Sequence, residues 1–181
     1  MTIDPIVTDR LILRQWRDSD YAPFASLNAD AEVMEHFPSV LTRGESDAMA
    51  QRCQDRIDQD GWGLWALESR DSGDFIGFTG LAAPRFEAHF TPTVEIGWRL
   101  RRSAWANGYA SEAARAALRF GFEELKRGEI VSFTPSENLR SQAVMRRLGM
   151  AHDPADDFDH PDSAADSRLG RFVLYRLCAP S

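Results

Sequence analysis

The stretch from Arg101 to Leu125, RRSAWANGYASEAARAALRFGFEEL, narrows the possible folds of this chain more than any other. It follows directly on TVEIGWRLR, a run of β-branched and aromatic residues that reads as a strand. Beyond the small-residue turn Ala106-Asn107-Gly108, Ala114, Leu118 and Phe122 recur on one helical face, with Gly121 and Leu125 beside them. A strand feeding a long amphipathic helix through a tight turn belongs to α/β architecture. The geometry has a chemical corollary. The first four N–H groups of a helix have no partner within it, and the macrodipole puts partial positive charge there. Small residues ahead of that end let a ligand approach closely, which makes it a candidate anion site. Small residues also simply start helices well, so the turn alone does not decide the matter.

The rest of the chain supplies the partners of this unit. TDRLILRQW reads as a strand, with Leu11 and Leu13 alternating against Arg10, Ile12 and Arg14. RDSDYAPFASLNADAEVMEHF predicts two short helices, with Asp18 or Asp20 and Asp30 as caps. Thr42 and Glu45 have capping-box spacing and open a polar helix to about Gln59, stopped by Gly61. WGLWALES and DFIGFTGLA are strands of a hairpin turning at Asp71 to Asp74. EIVSFTP is a strand, NLRSQAVMRRLG a helix ended by Gly149, and RFVLYRLC a last strand. DPADDFDHPDSAADSR, acidic and proline-interrupted over residues 153–168, reads with the preceding His152 as a long loop. No repeat or linker interrupts the order, so residues 1–181 form one α/β domain with a mixed sheet.

Composition removes several classes of function. The net charge of −7 argues against nucleic acid, which demands a basic face. Yet residues 99–147 hold ten Lys/Arg against five Asp/Glu. A basic middle in an acidic chain suits a small polyanion bound there. No apolar run approaches a membrane span, and MTIDPIVTDRLILRQW lacks the apolar core of a signal peptide. A cytoplasmic protein is expected, with Cys53 and Cys178 reduced and structural and with no metal site.

EIGWRL, the turn WANGYASEA and, some thirty residues on, ENLRSQAVMRRLGM stand in an order that resembles the GNAT superfamily of acetyl-CoA-dependent N-acetyltransferases. The pattern WxxGYAxEA is most similar to that of its ribosomal-protein (RimJ/RimL-like) branch. The resemblance runs from TDRLILRQW to FVLYRL and implies a twisted, mostly antiparallel mixed sheet whose central strands splay into a V. It implies acetyl-CoA as co-substrate, a primary amine as acceptor, and a monomer or homodimer. The branch's common Gly-Lys ahead of the glycine is Ala106-Asn107 here, one cation fewer.

By position, the resemblance implies a pyrophosphate cradle at Ala106, Asn107, Gly108, Tyr109, Ala110 and Ser111, with Arg101 and Arg102 adding charge. It places backbone groups of Trp98, Arg99 and Leu100 along the pantetheine arm, one N–H meeting the thioester oxygen. Asn138 is expected to touch the arm, and Ser141, on the same helical face, to protonate the departing thiolate. An attacking amine needs a base, and Glu95, acting through water, is the first candidate, with DDFDHP next. The acceptor is expected opposite the CoA, near MEHFPSV and the acidic loop. A non-catalytic acyl-CoA-binding domain is the rival reading. A nucleotide-binding module lacks the Walker lysine and the Rossmann glycines.

Overall fold

The computed structural model describes residues 4–161 and 169–180. Its centre is an eight-stranded sheet in the order β1-β2-β3-β4-β5-β6-β8-β7. The chain runs β1 (Ile6–Val7), β2 (Leu11–Arg14), α1 (Asp18–Asn28), α2 (Arg43–Asp60), β3 (Leu64–Ser69), β4 (Phe75–Ala82), β5 (Glu95–Leu100), α3 (Tyr109–Glu123), β6 (Glu129–Pro135), α4 (Leu139–Arg147), β7 (Ala151–His152) and β8 (Phe172–Cys178). Every neighbouring pair is antiparallel except β5 and β6. No helix among the described residues is long and apolar enough to cross a membrane.

The sequence expectations hold for the main elements and fail at the short ones. The capping box of α2 forms as expected: the Glu45 N–H donates to Thr42 Oγ1 and the Thr42 N–H to Glu45 Oε2 at 2.7 Å. At α1 the helix starts one residue past Arg17, whose N–H donates to Asp20 Oδ2 at 2.9 Å, so Asp20 serves from inside the first turn. The second short helix does not form, although Asp30 caps a turn as expected: its Oδ1 takes the Glu32 N–H at 2.9 Å and its carbonyl the Met34 N–H at 3.0 Å. Residues 31–36 stay a series of turns, because so short a segment cannot repay its own nucleation. β1 and β7 were not foreseen; two residues carry no readable period.

Alternation of side chains gives the sheet two distinct faces. Trp65 stacks edge-on against Phe120 of α3, and its register partners Thr79 and Trp98 follow on that face. α4 lies beside α3, tied by Arg115 Nη2 to the Arg147 carbonyl at 3.1 Å. The opposite face carries α1 and α2 over a cluster of Trp16, Phe24, Phe75 and Phe78. Farther along it, over β6 and β8, Phe86, Phe90, Phe133, Phe158 and Phe172 form a second apolar cluster, with His160 stacked on Phe172.

Part of the expected acidic loop belongs to that cluster. Phe158 bridges Phe172, Asp156 accepts from Arg176 Nε at 2.6 Å, and Asp157 meets His152 at 2.8 Å. Residues 153–161 are therefore pinned to the sheet. The remainder of the expected loop, 162–168, lies outside the described residues.

Candidate active site

At the centre of the sheet, β5 meets β6 through one register pair, Glu95 with Val131. The Ser132 hydroxyl reinforces that junction by donating to the Ile96 carbonyl at 2.9 Å. Beyond it pairing stops and the strands form the two arms of a V. The β4 side of β5 is fully paired over six residues. The Arg101 N–H donates to the Ile76 carbonyl and Thr79 Oγ1 to the Gly97 carbonyl, so odd-numbered backbone groups point to β4. Trp98 and Leu100 therefore turn theirs into the V. Arg99 does not, and what it brings to this region is its side chain. The Leu100 carbonyl is taken by the Trp105 indole at 2.9 Å, which fixes the following turn to the end of β5.

That turn presents the start of α3. Ala106 and Gly108 are both left-handed, at φ 61° and 77°. The first helical bond runs from the Glu112 N–H to the Gly108 carbonyl. Among the described residues, no protein group meets the N–H groups of Tyr109, Ala110 and Ser111. α2 and α4, by contrast, are capped by Thr42 and Asn138. Three unpaired donors at the positive end of a helix, behind an exposed small-residue turn, leave an electropositive helix end open to solvent. Glu112 clamps it from behind, accepting from Thr8 Oγ1, the Arg10 N–H and Arg10 Nε at 2.7–2.9 Å. These bonds outweigh the effect of burial and hold its carboxyl below the usual range.

The acetyltransferase (GNAT) domain profile matches residues 10–151. The chain belongs to the GNAT acetyltransferase family. The Bacillus subtilis (strain 168) uncharacterized N-acetyltransferase YnaD is 31% identical over 146 residues, 80% of this chain and 81% of that protein. A crystal structure of an acetyltransferase from Agrobacterium tumefaciens superposes with TM-score 0.79 at 25% identity, over 98% of this chain and 95% of that one. RimL, a ribosomal-protein alpha-N-acetyltransferase solved with coenzyme A, superposes with TM-score 0.75 at 17% identity, over 97% and 98% of the two chains. At that identity the likeness to RimL is one of fold.

Within this GNAT domain the expected site residues divide into those at the V and those away from it. Glu95 stands where the strands part. It has no ion pair or hydrogen bond among the described residues, and burial raises its carboxyl from 4.5 to about 7. Asn138 is buried at the start of α4, donating to Thr134 Oγ1 at 2.8 Å and to Ser141 Oγ at 3.1 Å, while its Oδ1 accepts the Ser141 N–H. Ser141 is half-buried as a residue, its hydroxyl accepting from Asn138. Arg101 and Arg102 turn aside: Arg101 Nη2 lies 3.3 Å from Asp74, and Arg102 pairs with Glu32.

Two other cations lie nearer the turn, each with a carboxylate partner of its own. Arg10, paired with Glu112, donates to the Asn107 carbonyl at 3.0 Å and lies over the Tyr109 ring, and Arg140, paired with Glu35 at 2.6 Å, lies over Trp105. Neither could be foreseen, because Arg10 precedes Asn107 by 97 residues and Arg140 looks like an ordinary helix-surface residue. Among the described residues no three His, Cys, Asp or Glu are grouped to hold a metal. Cys53 and Cys178 are both free.

Proposed function

We propose that this GNAT protein transfers the acetyl group of acetyl-CoA to a primary amine by direct attack, the amine being a protein N-terminus or a small molecule. The observation that carries this reading is Glu95: an unpaired carboxylate raised to about 7, placed where β5 leaves β6. A base of that strength accepts a proton from an ammonium group near neutral pH, directly or through one water. A domain that merely bound acyl-CoA would have no use for it.

The other roles follow from position. The N–H groups of Tyr109, Ala110 and Ser111, behind Ala106, Asn107 and Gly108, hold the pyrophosphate. Backbone groups of Trp98 and the Leu100 N–H line the arm in the V, and the Trp98 N–H suits the developing oxyanion. Asn138 steadies the arm from α4, and Ser141 returns a proton to the thiolate. The acceptor enters on the α1–α2 face, which Glu95 shares. The activity suits the cytoplasm, where both cysteines stay reduced.

The test is release of CoA from acetyl-CoA against a broad panel of amines and peptides. Turnover with at least one class of amine is expected. Tight acetyl-CoA binding with no release for any acceptor would leave the non-catalytic reading standing.

A further inference from the structure

Arg99 lies on the same face of β5 as Glu95, two residues beyond Gly97, and only 8% of its surface is exposed. Its Nη1 donates to Asn28 Oδ1 at 2.6 Å and lies 3.9 Å from Met49 Sδ. The Phe37 ring sits 4.0 Å from its Cζ and the Phe78 ring 5.4 Å. Its Nε is enclosed without a partner, and among the described residues no carboxylate pairs with it. Burial pulls the guanidinium down to about 10. A buried cation without a counter-charge is costly, and a neutral side chain could fill the same space.

The surroundings hold the guanidinium in a fixed place. Asn28 is itself held by a bond from its Nδ2 to Ser46 Oγ at 2.9 Å, so its carbonyl oxygen is aimed at Arg99. Phe37 belongs to the turns after α1, and Phe78 sits beside Arg99 on β4. Over Gly97 there is open space, with nothing within 4 Å of where a Cβ would stand. A strand rises about 3.3 Å per residue, so the Glu95 and Arg99 backbones stand roughly 13 Å apart across that slot. Both side chains stand off the same face of the strand, with Gly97 contributing no side chain between them.

We infer that Arg99 receives a carboxylate carried by the acceptor, so that the substrate is an amine with a carboxylate a few bonds from its nitrogen. The inference rests on the acetyltransferase reading above. The planar guanidinium fork matches a carboxylate in shape as well as charge. Glu95 then takes the proton at one end of the slot while Arg99 fixes the other end of the molecule. The carboxylate could belong to a free amino acid or to the acidic first residue of a peptide.

Initial rates with acetyl-CoA are to be compared for free amino acids and their carboxamides, and for peptides beginning with Asp or Glu against Asn or Gln. The carboxylate member of a pair should show kcat/KM at least 30-fold higher, and the better series names the source. Arg99→Met should erase that preference while acetyl-CoA affinity by calorimetry stays unchanged. Arg99→Lys, with charge but no fork, should keep an intermediate preference, and it carries the comparison if Arg99→Met fails to fold.

A binding arm reads the same contact without turnover: calorimetric titration of N-acetyl amino acids and their amides in the presence of CoA. If the wild type binds the acids, Arg99→Met does not, and no amine is acetylated, the Arg99 contact stands and the transferase reading falls. Equal rates or equal binding for acid and amide, a preference that survives in Arg99→Met, or no carboxylate bound by the wild type would overturn the inference.

Discussion

Arg14 and Arg99 are both enclosed, with opposite results. Burial alone would depress the Arg14 guanidinium, but bonds to Asp20 and Glu68 more than offset it and hold the group above its ordinary value. Arg99 has only amide, sulfur and ring neighbours and is lowered. Glu95 is the acidic counterpart of Arg99, and its pH behaviour is testable. Its folded value near 7 lies above the ordinary 4.5, so the folded state holds the proton more tightly than the unfolded chain. That contribution to stability is complete below about 4.5 and is lost as pH rises through 7. Thermal melts should therefore show Glu95→Gln gaining on the wild type by about 1–2 kcal/mol at pH 8, discounted for partial exposure, and nothing at pH 4.5. In kinetics the same variant should lose about 10² to 10⁴ in kcat, and wild-type kcat/KM should climb with pH to a plateau above about 7. A flat pH profile, or a variant with full kcat, would move the base elsewhere. Asn138→Ala should raise the KM for acetyl-CoA and also lower stability by about 1 kcal/mol, since the side chain caps α4. Ser141→Ala should instead lower kcat with little change in melting. The placing of Glu95 at the edge of the V and of Asn138 and Ser141 at the start of α4 was legible because each sits inside a contiguous motif. The surroundings of the Arg99 side chain and of Arg10 were not, because they are made by what α1, α2 and α3 bring to them.

Among the elements, α3 carries the most constraint. At its start, Gly108 is left-handed at φ 77°, a conformation a β-branched residue strongly resists. Gly108→Val should weaken acetyl-CoA binding at least tenfold, about 1.4 kcal/mol, as read by calorimetry. It should also cost about 1–2 kcal/mol of fold stability through backbone strain. Unchanged affinity in the folded variant would remove the pyrophosphate from this turn. In its last turns α3 lies so close to the sheet that a Cβ on Gly121 would stand 2.5 Å from Ile130 Cδ1 and 3.0 Å from Leu81 Cδ1. Both neighbours are fully buried, so Gly121→Val should destabilise by about 1–3 kcal/mol in denaturant unfolding. The sequence placed Gly121 beside the apolar face of this helix, but the distance to β4 and β6 is a property of packing. The same limit applies to residues 31–36, whose cap and apolar residues suit a helix that is too short to persist.

Across the whole molecule, chain order maps onto the two arms of the V. Residues 6–100 build β1 to β5 as consecutive antiparallel neighbours, and residues 129–178 build the other arm. A ligand lying between them stabilises the assembled fold by mass action. Acetyl-CoA at a hundredfold its Kd should add about 2.7 kcal/mol, a rise of roughly 5–10 °C in Tm for a chain of this size. A scan with no shift at that concentration would place binding outside the native state described here. Mixed strand order was readable from the alternation of strands and helices, whereas the V followed only from the family resemblance, since no local pattern records where pairing stops. The V also leaves a signature in time. Along β5, the amides of Gly97 and Arg99 face β4 and those of Trp98 and Leu100 face the opening, so deuterium should enter the middle of this sheet at every second residue. Fast and slow exchange would then alternate along one central strand of the free protein, and the fast positions should fall silent once the opening is filled.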